Sequence, residues 1–129
     1  MLNPDSVGRT FEGAELVTVT QSQIDAFCAV LSESNTTVAP PTFAIRITLE
    51  QSQKILSNPE IGLDWPRVVH GDQRFEIKHP IVAGDIFKCS STIESYKVSD
   101  GNEFVVIRSD LVSNNRLAVS TWSTLVVRA

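Results

Sequence analysis

Apolar positions along this chain keep two different periods, and the change between them divides the chain in two. Ile24, Phe27, Cys28 and Leu31 recur at helical spacing on one face. Just ahead, Thr20-Gln21-Ser22-Gln23 reads as a capping box. The Thr20 hydroxyl takes the amide of Gln23, whose side chain reaches back. The pattern predicts a helix to about Ser32, where Ser34-Asn35-Thr36-Thr37 competes through side-chain hydrogen bonds and forms a loop. Pro40 and Pro41 must precede or begin the next helix, because their missing amides would break its interior. From Thr42, the set Ala44, Ile45, Thr48, Leu49, Ser52, Ile55 and Leu56 makes one stripe, widened by Phe43 and Ile47. Gln51, Gln53 and Lys54 are expected to face outward, and Ser57-Asn58-Pro59-Glu60 stops the helix.

The rest of the chain reads as sheet. Gln73, Phe75 and Ile77 alternate with Arg74, Glu76 and Lys78, the two-residue period of a half-buried strand. Pro80 to Asp85 turns into a strand from Ile86 to Val98. Asp100-Gly101 is a strong hairpin signal. Strands over Phe104 to Val112 and Leu117 to Val127 follow, joined by Ser113 to Arg116. Consecutive hairpins imply antiparallel pairing. Residues 1–14 look irregular, and Leu16, Val17 and Val19 suggest a short extended entry. Gly71 interrupts the first long strand and reads as a bulge. His70 stands opposite in phase to Gln73 and is expected to face away from the helix. The class is α+β.

Composition narrows the function classes. The 129 residues suit one domain, 1–129, and are 42% hydrophobic and 20% charged. Eleven basic and fifteen acidic residues give a net charge of −4, with no basic cluster, which disfavours a nucleic-acid partner. Nothing approaches ~18 consecutive apolar residues, so no membrane span is expected. The first residues, with Asp5 and Pro4 and no apolar core, do not read as a signal peptide. Cys28 and Cys89 sit far apart in apolar patterns and read as buried free thiols, pointing to the cytoplasm. Two cysteines with two distant histidines do not make a zinc spacing, and neither a metal nor a cofactor is expected.

A family resemblance rests on Val7-Gly8-Arg9, Ala39-Pro40-Pro41-Thr42-Phe43-Ala44, Gly62-Leu63-Asp64-Trp65 and Val69-His70-Gly71-Asp72-Gln73-Arg74-Phe75-Glu76. His79-Pro80 to Gly84-Asp85, Gly101-Asn102-Glu103-Phe104 and Ser123-Thr124-Leu125-Val126-Val127-Arg128 add to it. In this order the segments resemble the N-terminal MaoC-like dehydratase family. They are most similar to the small actinobacterial proteins that serve as a subunit of (3R)-hydroxyacyl-ACP dehydratase. The resemblance implies a hot-dog fold, a sheet wrapped around a central helix, and side-by-side dimers. It also implies a CoA or acyl-carrier-protein thioester as substrate, its acyl chain in a tunnel near the dimer interface.

Catalytic members carry Asp-x-Asn-Pro-x-His just before the central helix. Dehydrating a 3-hydroxyacyl thioester needs a base for the C2 proton and an acid for the departing hydroxyl. Here Ser32-Glu33-Ser34-Asn35-Thr36-Thr37-Val38 occupies that stretch, with Glu33 and Asn35 near the Asp and Asn positions and no imidazole. Threonine cannot replace that base. The resemblance therefore implies a non-catalytic, acyl-binding chain that pairs with a separate catalytic hot-dog subunit.

Each candidate has a plainer reading beside it. Glu33 is a possible surviving acid or a solvated helix-end carboxylate, and Asn35 a ligand contact or a loop former. His70 either lines a substrate or partner surface or meets solvent. Gln73 bonds either a substrate or the backbone. Amides at Thr42, Phe43 and Ala44, following Pro41, make a natural oxyanion site. Phe43, Ile47 and Phe75 line an acyl tunnel or fill the core. Two other functions stay open: a self-sufficient hydratase or thioesterase using Glu33, and an acyl-binding homo-oligomer without chemistry.

Overall fold

A computed structural model describes all residues, 1–129. Strand β1 (Thr10–Thr18) leads to helices α1 (Gln21–Val30) and α2 (Phe43–Ile55). Strands β2 (Val68–Ile77), β3 (Ile86–Ser99), β4 (Asn102–Ser113) and β5 (Arg116–Val127) follow. They form one antiparallel sheet in the order β1-β3-β4-β5-β2. The sheet carries α2 across one face, the arrangement of a hot-dog fold.

Local chemistry explains most boundaries. Both halves of the Thr20–Gln23 capping box form. The β3–β4 turn places Asp100 and Gly101 at φ 52° and 78°, and the β4–β5 turn places Asn114 and Asn115 at 53° and 57°. These left-handed pairs give the twist that two-residue hairpins need.

Several expectations are corrected. Helix α1 ends at Val30, because Ser32 adopts φ 57°, and Leu31 stays 51% exposed rather than joining the buried face. Residues 10–14 are not irregular: Thr10, Phe11 and Glu12 pair with Thr92, Ser91 and Ser90. A bulge between Glu12 and Leu16 shifts the phase and hides the strand's period in sequence. Gly13 sits in that bulge, where a Cβ would lie 2.9 Å from the Cys89 carbonyl oxygen. The run from β2 to β3 is no hairpin, since β2 pairs with β5. Residues 78–85 instead cross the sheet, held by the Ala39 amide on the Ile81 carbonyl (2.8 Å) and the Val19 amide on the Asp85 carbonyl (2.8 Å).

The helix stripe is also rotated from its expected position. Gln51 is buried rather than outward, and Ile45 and Leu49 are only half-buried. Gln51, Lys54 and Ile55 face Glu12, Ala14 and Glu15 of β1. The opposite flank, with Ile45 and Leu49, therefore faces the β2 end of the sheet. Helix α2 packs across β1, β3, β4 and β5, leaving the helix side of β2 largely uncovered.

The apolar core falls into two clusters. One gathers Phe43, Ala44 and Ile47 with Cys28, Phe87, Cys89, Leu111 and Val119. The other gathers Leu56 with Ile93, Val105, Ile107, Leu125 and Val127. Between them runs a cross-strand polar row, Ser91–Ser109–Thr121. Thr48, Gln51 and Ser52 are the buried polar residues of α2.

Candidate functional site

The mouth of α2 is built by the loop that leaves α1. The left-handed Ser32 turns the chain, and the Glu33 amide bonds the Cys28 carbonyl at 2.9 Å. The Glu33 carboxylate accepts from the Asn35 amide at 3.0 Å. Asn35 Oδ1 in turn accepts from the Thr37 amide (3.1 Å) and the Thr37 hydroxyl (2.6 Å). The Cys28 thiol lies under this loop, 3.6 Å from the Asn35 carbonyl oxygen. Burial, then the charges of Glu33 and Asp25, push that thiol up from its ordinary pKa. A cleft of about 190 Å³ opens here, lined by Glu33, Asn35, Val38, Ala39, Pro40 and Pro41.

The expected trio of helix-start amides is incomplete. Thr42 makes no side-chain cap, and the Phe43 amide already donates to the Pro40 carbonyl at 2.9 Å. Thr42 and Ala44 keep amides without a backbone acceptor. Pro40 and Pro41 fix the chain tightly enough to close this turn, which removes one donor that the sequence suggested was available.

Phe43, Ala44 and Ile47 lie in the core at 1%, 0% and 6% exposure. Phe27 meets Phe43 edge-on, with ring centroids 5.3 Å apart. Phe75 is half-buried against the same cluster, on the bare helix side of β2. The plainer, core-filling reading thus describes Phe43 and Ile47, while Phe75 stands at the boundary.

On β2 the bulge changes the expected geometry. His70 pairs with Leu125 and Gln73 with Ser123, with the register shift between His70 and Asp72. Directly opposed residues share a face, so His70 lies on the helix side with Gln73, not opposite to it. It remains exposed because α2 does not reach that edge, and its Nε2 bonds the Asp72 carbonyl oxygen at 3.0 Å. Gln73 is engaged within the chain: its Oε1 accepts from Ser123 Oγ at 2.6 Å, and its Nε2 donates to the Arg74 carbonyl at 3.3 Å. His70, Gly71, Asp72 and Gln73 line an open cleft of about 350 Å³.

The fold therefore brings Glu33, Asn35 and Pro41 to one cleft and His70 and Gln73 to another. It does not join the two sets in this chain. No group of three or more His, Cys, Asp or Glu side chains is arranged to hold a metal ion. Sequence reasoning missed the hydroxyls of Thr48 and Thr121, both buried without a hydrogen-bond partner. Their only signal was a polar residue on an otherwise apolar phase.

Comparison with known proteins identifies the family and the fold. Residues 6–121 match the family described as "FAS1-like, dehydratase domain region". A "UPF0336 protein" of Thermobifida fusca is 34% identical over 98% of this chain and 93% of its own length. The fold matches the C-terminally truncated HadBC (3R-hydroxyacyl-ACP dehydratase) complex of Mycobacterium tuberculosis. That match has a TM-score of 0.83 and 21% identity, over 97% of this chain and 99% of that one. It also matches a MaoC-like dehydratase from Rhodospirillum rubrum, with a TM-score of 0.69 and 16% identity, over 99% and 97%. With 116 consecutive residues matched (6 through 121), this chain belongs to the FAS1-like dehydratase-region family, on a MaoC-like hot-dog fold.

Proposed function

We propose that the chain is the non-catalytic, acyl-thioester-binding subunit of a (3R)-hydroxyacyl-CoA or -ACP dehydratase, working with a catalytic hot-dog subunit. One observation carries this reading. The loop before α2 presents Glu33 and Asn35, both spent on loop hydrogen bonds, and no imidazole. A base for the C2 proton and an acid for the leaving hydroxyl must then come from another chain.

In this reading the chain supplies surface. The helix side of β2, with Phe75 and Gln73, and the facing flank of α2, with Ile45 and Leu49, form an apolar wall for an acyl chain. The Thr42 and Ala44 amides at the start of α2 supply donors for a thioester oxygen. The HadBC neighbour is itself a complex of hot-dog chains, which supports a heteromeric arrangement. The buried free thiols of Cys28 and Cys89 fit a reducing compartment, so we place the protein in the cytoplasm. No helix is long and apolar enough to cross a membrane.

The test is a crotonyl-thioester hydration assay on this chain alone, on a catalytic hot-dog candidate alone, and on the two co-expressed. Activity that appears or rises sharply only in the mixture supports the reading. An ordinary enzymatic rate from this chain alone overturns it and favours a self-sufficient enzyme using Glu33.

A further inference from the structure

Most hydroxyls in the polar layer between the two core clusters are matched. Those of Ser91 and Ser109 bond each other at 3.0 Å. Ser123 Oγ donates to Gln73 Oε1 at 2.6 Å, and Ser52 Oγ donates to the Leu49 carbonyl at 3.1 Å. Thr48 and Thr121 are the exceptions: at 1% and 0% exposure, each keeps a buried hydroxyl without a partner. A methyl group in place of either hydroxyl would lose no hydrogen bond and would spare the desolvation of a polar atom. Stability therefore does not account for them, and buried polar groups normally have partners.

Their positions indicate what the partner is. Thr121 stands in register between Ser109 of β4 and Phe75 of β2. Thr48 is next to Leu49 and one helical turn beyond Ile45. Both lie directly behind the wall of Phe75, Ile45 and Leu49, three half-buried side chains. Phe75, opposite Thr121, separates that hydroxyl from the bare helix side of β2.

We infer that Thr48 and Thr121 recognise a hydroxyl group carried part-way along the acyl chain. A hydroxyl accepts from one threonine and donates to the other, so it satisfies both. An unsubstituted alkyl chain satisfies neither. The inference rests on the proposed acyl-thioester reading and names the substrate class within it: a chain hydroxylated beyond its reacting end. Phe75 and Leu49 are the side chains that turn aside to admit it.

The helix sets the depth. Thr48 lies six residues beyond Thr42, about 9 Å along the axis at ~1.5 Å per residue. With the thioester oxygen on the Thr42 and Ala44 amides, a chain laid along the Ile45–Leu49 flank meets this layer several carbons in. The recognised hydroxyl is therefore a second one, distinct from the 3-hydroxyl that dehydration removes.

The experiment is isothermal titration calorimetry on the full chain with pantetheine thioesters of one saturated acid. One thioester is unsubstituted, and the others carry a single hydroxyl at successive positions from the third carbon onward. The wild type is expected to bind a mid-chain isomer about tenfold or more tightly than the unsubstituted chain, because that isomer pairs two stranded hydroxyls. In T48V and T121V the ratio is expected to fall toward one. In T48S and T121S, which keep the hydroxyl, it is expected to persist. Urea unfolding of the same samples separates a change in binding from a loss of folding. Equal affinity for plain and hydroxylated chains, which is also what a structural water on the two threonines would give, overturns the inference. So does a preference for the 3-hydroxy isomer alone, or a ratio that survives in both valine variants. Equal binding of all the thioesters leaves the proposed function standing, whereas binding of none overturns both.

Discussion

Thr48 and Thr121 give the sharpest test of the core. Their hydroxyls are buried, at 1% and 0% residue exposure, and find no partner. A buried hydroxyl left unbonded costs about 1–3 kcal/mol relative to water. Valine keeps the branched shape and removes the polar atom, so Thr48→Val and Thr121→Val should each stabilise the fold. After allowance for imperfect packing, about 1 kcal/mol per site is expected. For a chain of this size that corresponds to roughly 3–6 °C in Tm per substitution. Ser91→Ala is the opposite control, because the Ser91 and Ser109 hydroxyls bond each other at 3.0 Å. Removing one strands the other, so this variant should lose about 1 kcal/mol or more. Urea unfolding reads all three, with shifted midpoints and unchanged slopes. A loss of stability in either threonine variant would refute the reasoning, since it would mean that hydroxyl is bonded to something it depends on.

Glu103 gives a pH prediction. Its Oε1 accepts from the Leu2 amide and the Tyr96 hydroxyl, both at 2.8 Å. Burial pushes this carboxyl up, but those two bonds, then the charges of the Met1 ammonium and Arg67, outweigh it and hold the pKa below its usual range. The unfolded chain then binds a proton more readily, so the stabilisation is complete above the unfolded value and fades as pH falls through the folded one. Unfolding of wild type and E103Q, compared from neutral pH to pH 3, should converge at the acid end; a constant gap contradicts this. Cys89 is pushed up to about 12 by burial and by the charges of Asp110 and Glu12, and Cys28 is also raised. A thiol reagent at pH 8 should label neither in the native protein and both in urea. Thr20→Ala removes the helix α1 cap and should cost about 1 kcal/mol, read by thermal unfolding. Gly13→Ala places a methyl group against the Cys89 carbonyl and should destabilise β1, seen as faster amide exchange there.

The candidate site was legible in part. Glu33 and Asn35 lie near the helix mouth by their position in sequence, and each side chain accepts from the backbone amide two residues on, a contact that short-range spacing allows. The loss of the Phe43 amide to the Pro40 carbonyl was not legible, because it depends on how the two prolines turn the chain. His70 faces the helix side, against the phase that its two-residue period predicts. Counting by twos is reliable only while the pairing is regular, and one extra residue at Gly71 reverses every side chain beyond it.

The sequence by itself determined what near neighbours decide. The Thr20–Gln23 cap, the proline-bounded start of α2 and the Asp100-Gly101 and Asn114-Asn115 turns all rest on contacts a few residues apart. Tertiary structure decided which strands meet. Pairing of β2 with β5, rather than with β3, sets Ile77 beside Val119, although β3 and β4 lie between them in sequence. That choice leaves β2 as an open edge, and the placement of α2 toward β1 buries Gln51 and leaves Ile45 and Leu49 half-covered. These outcomes depend on how residues far apart in the chain share apolar cover, and no local period encodes that.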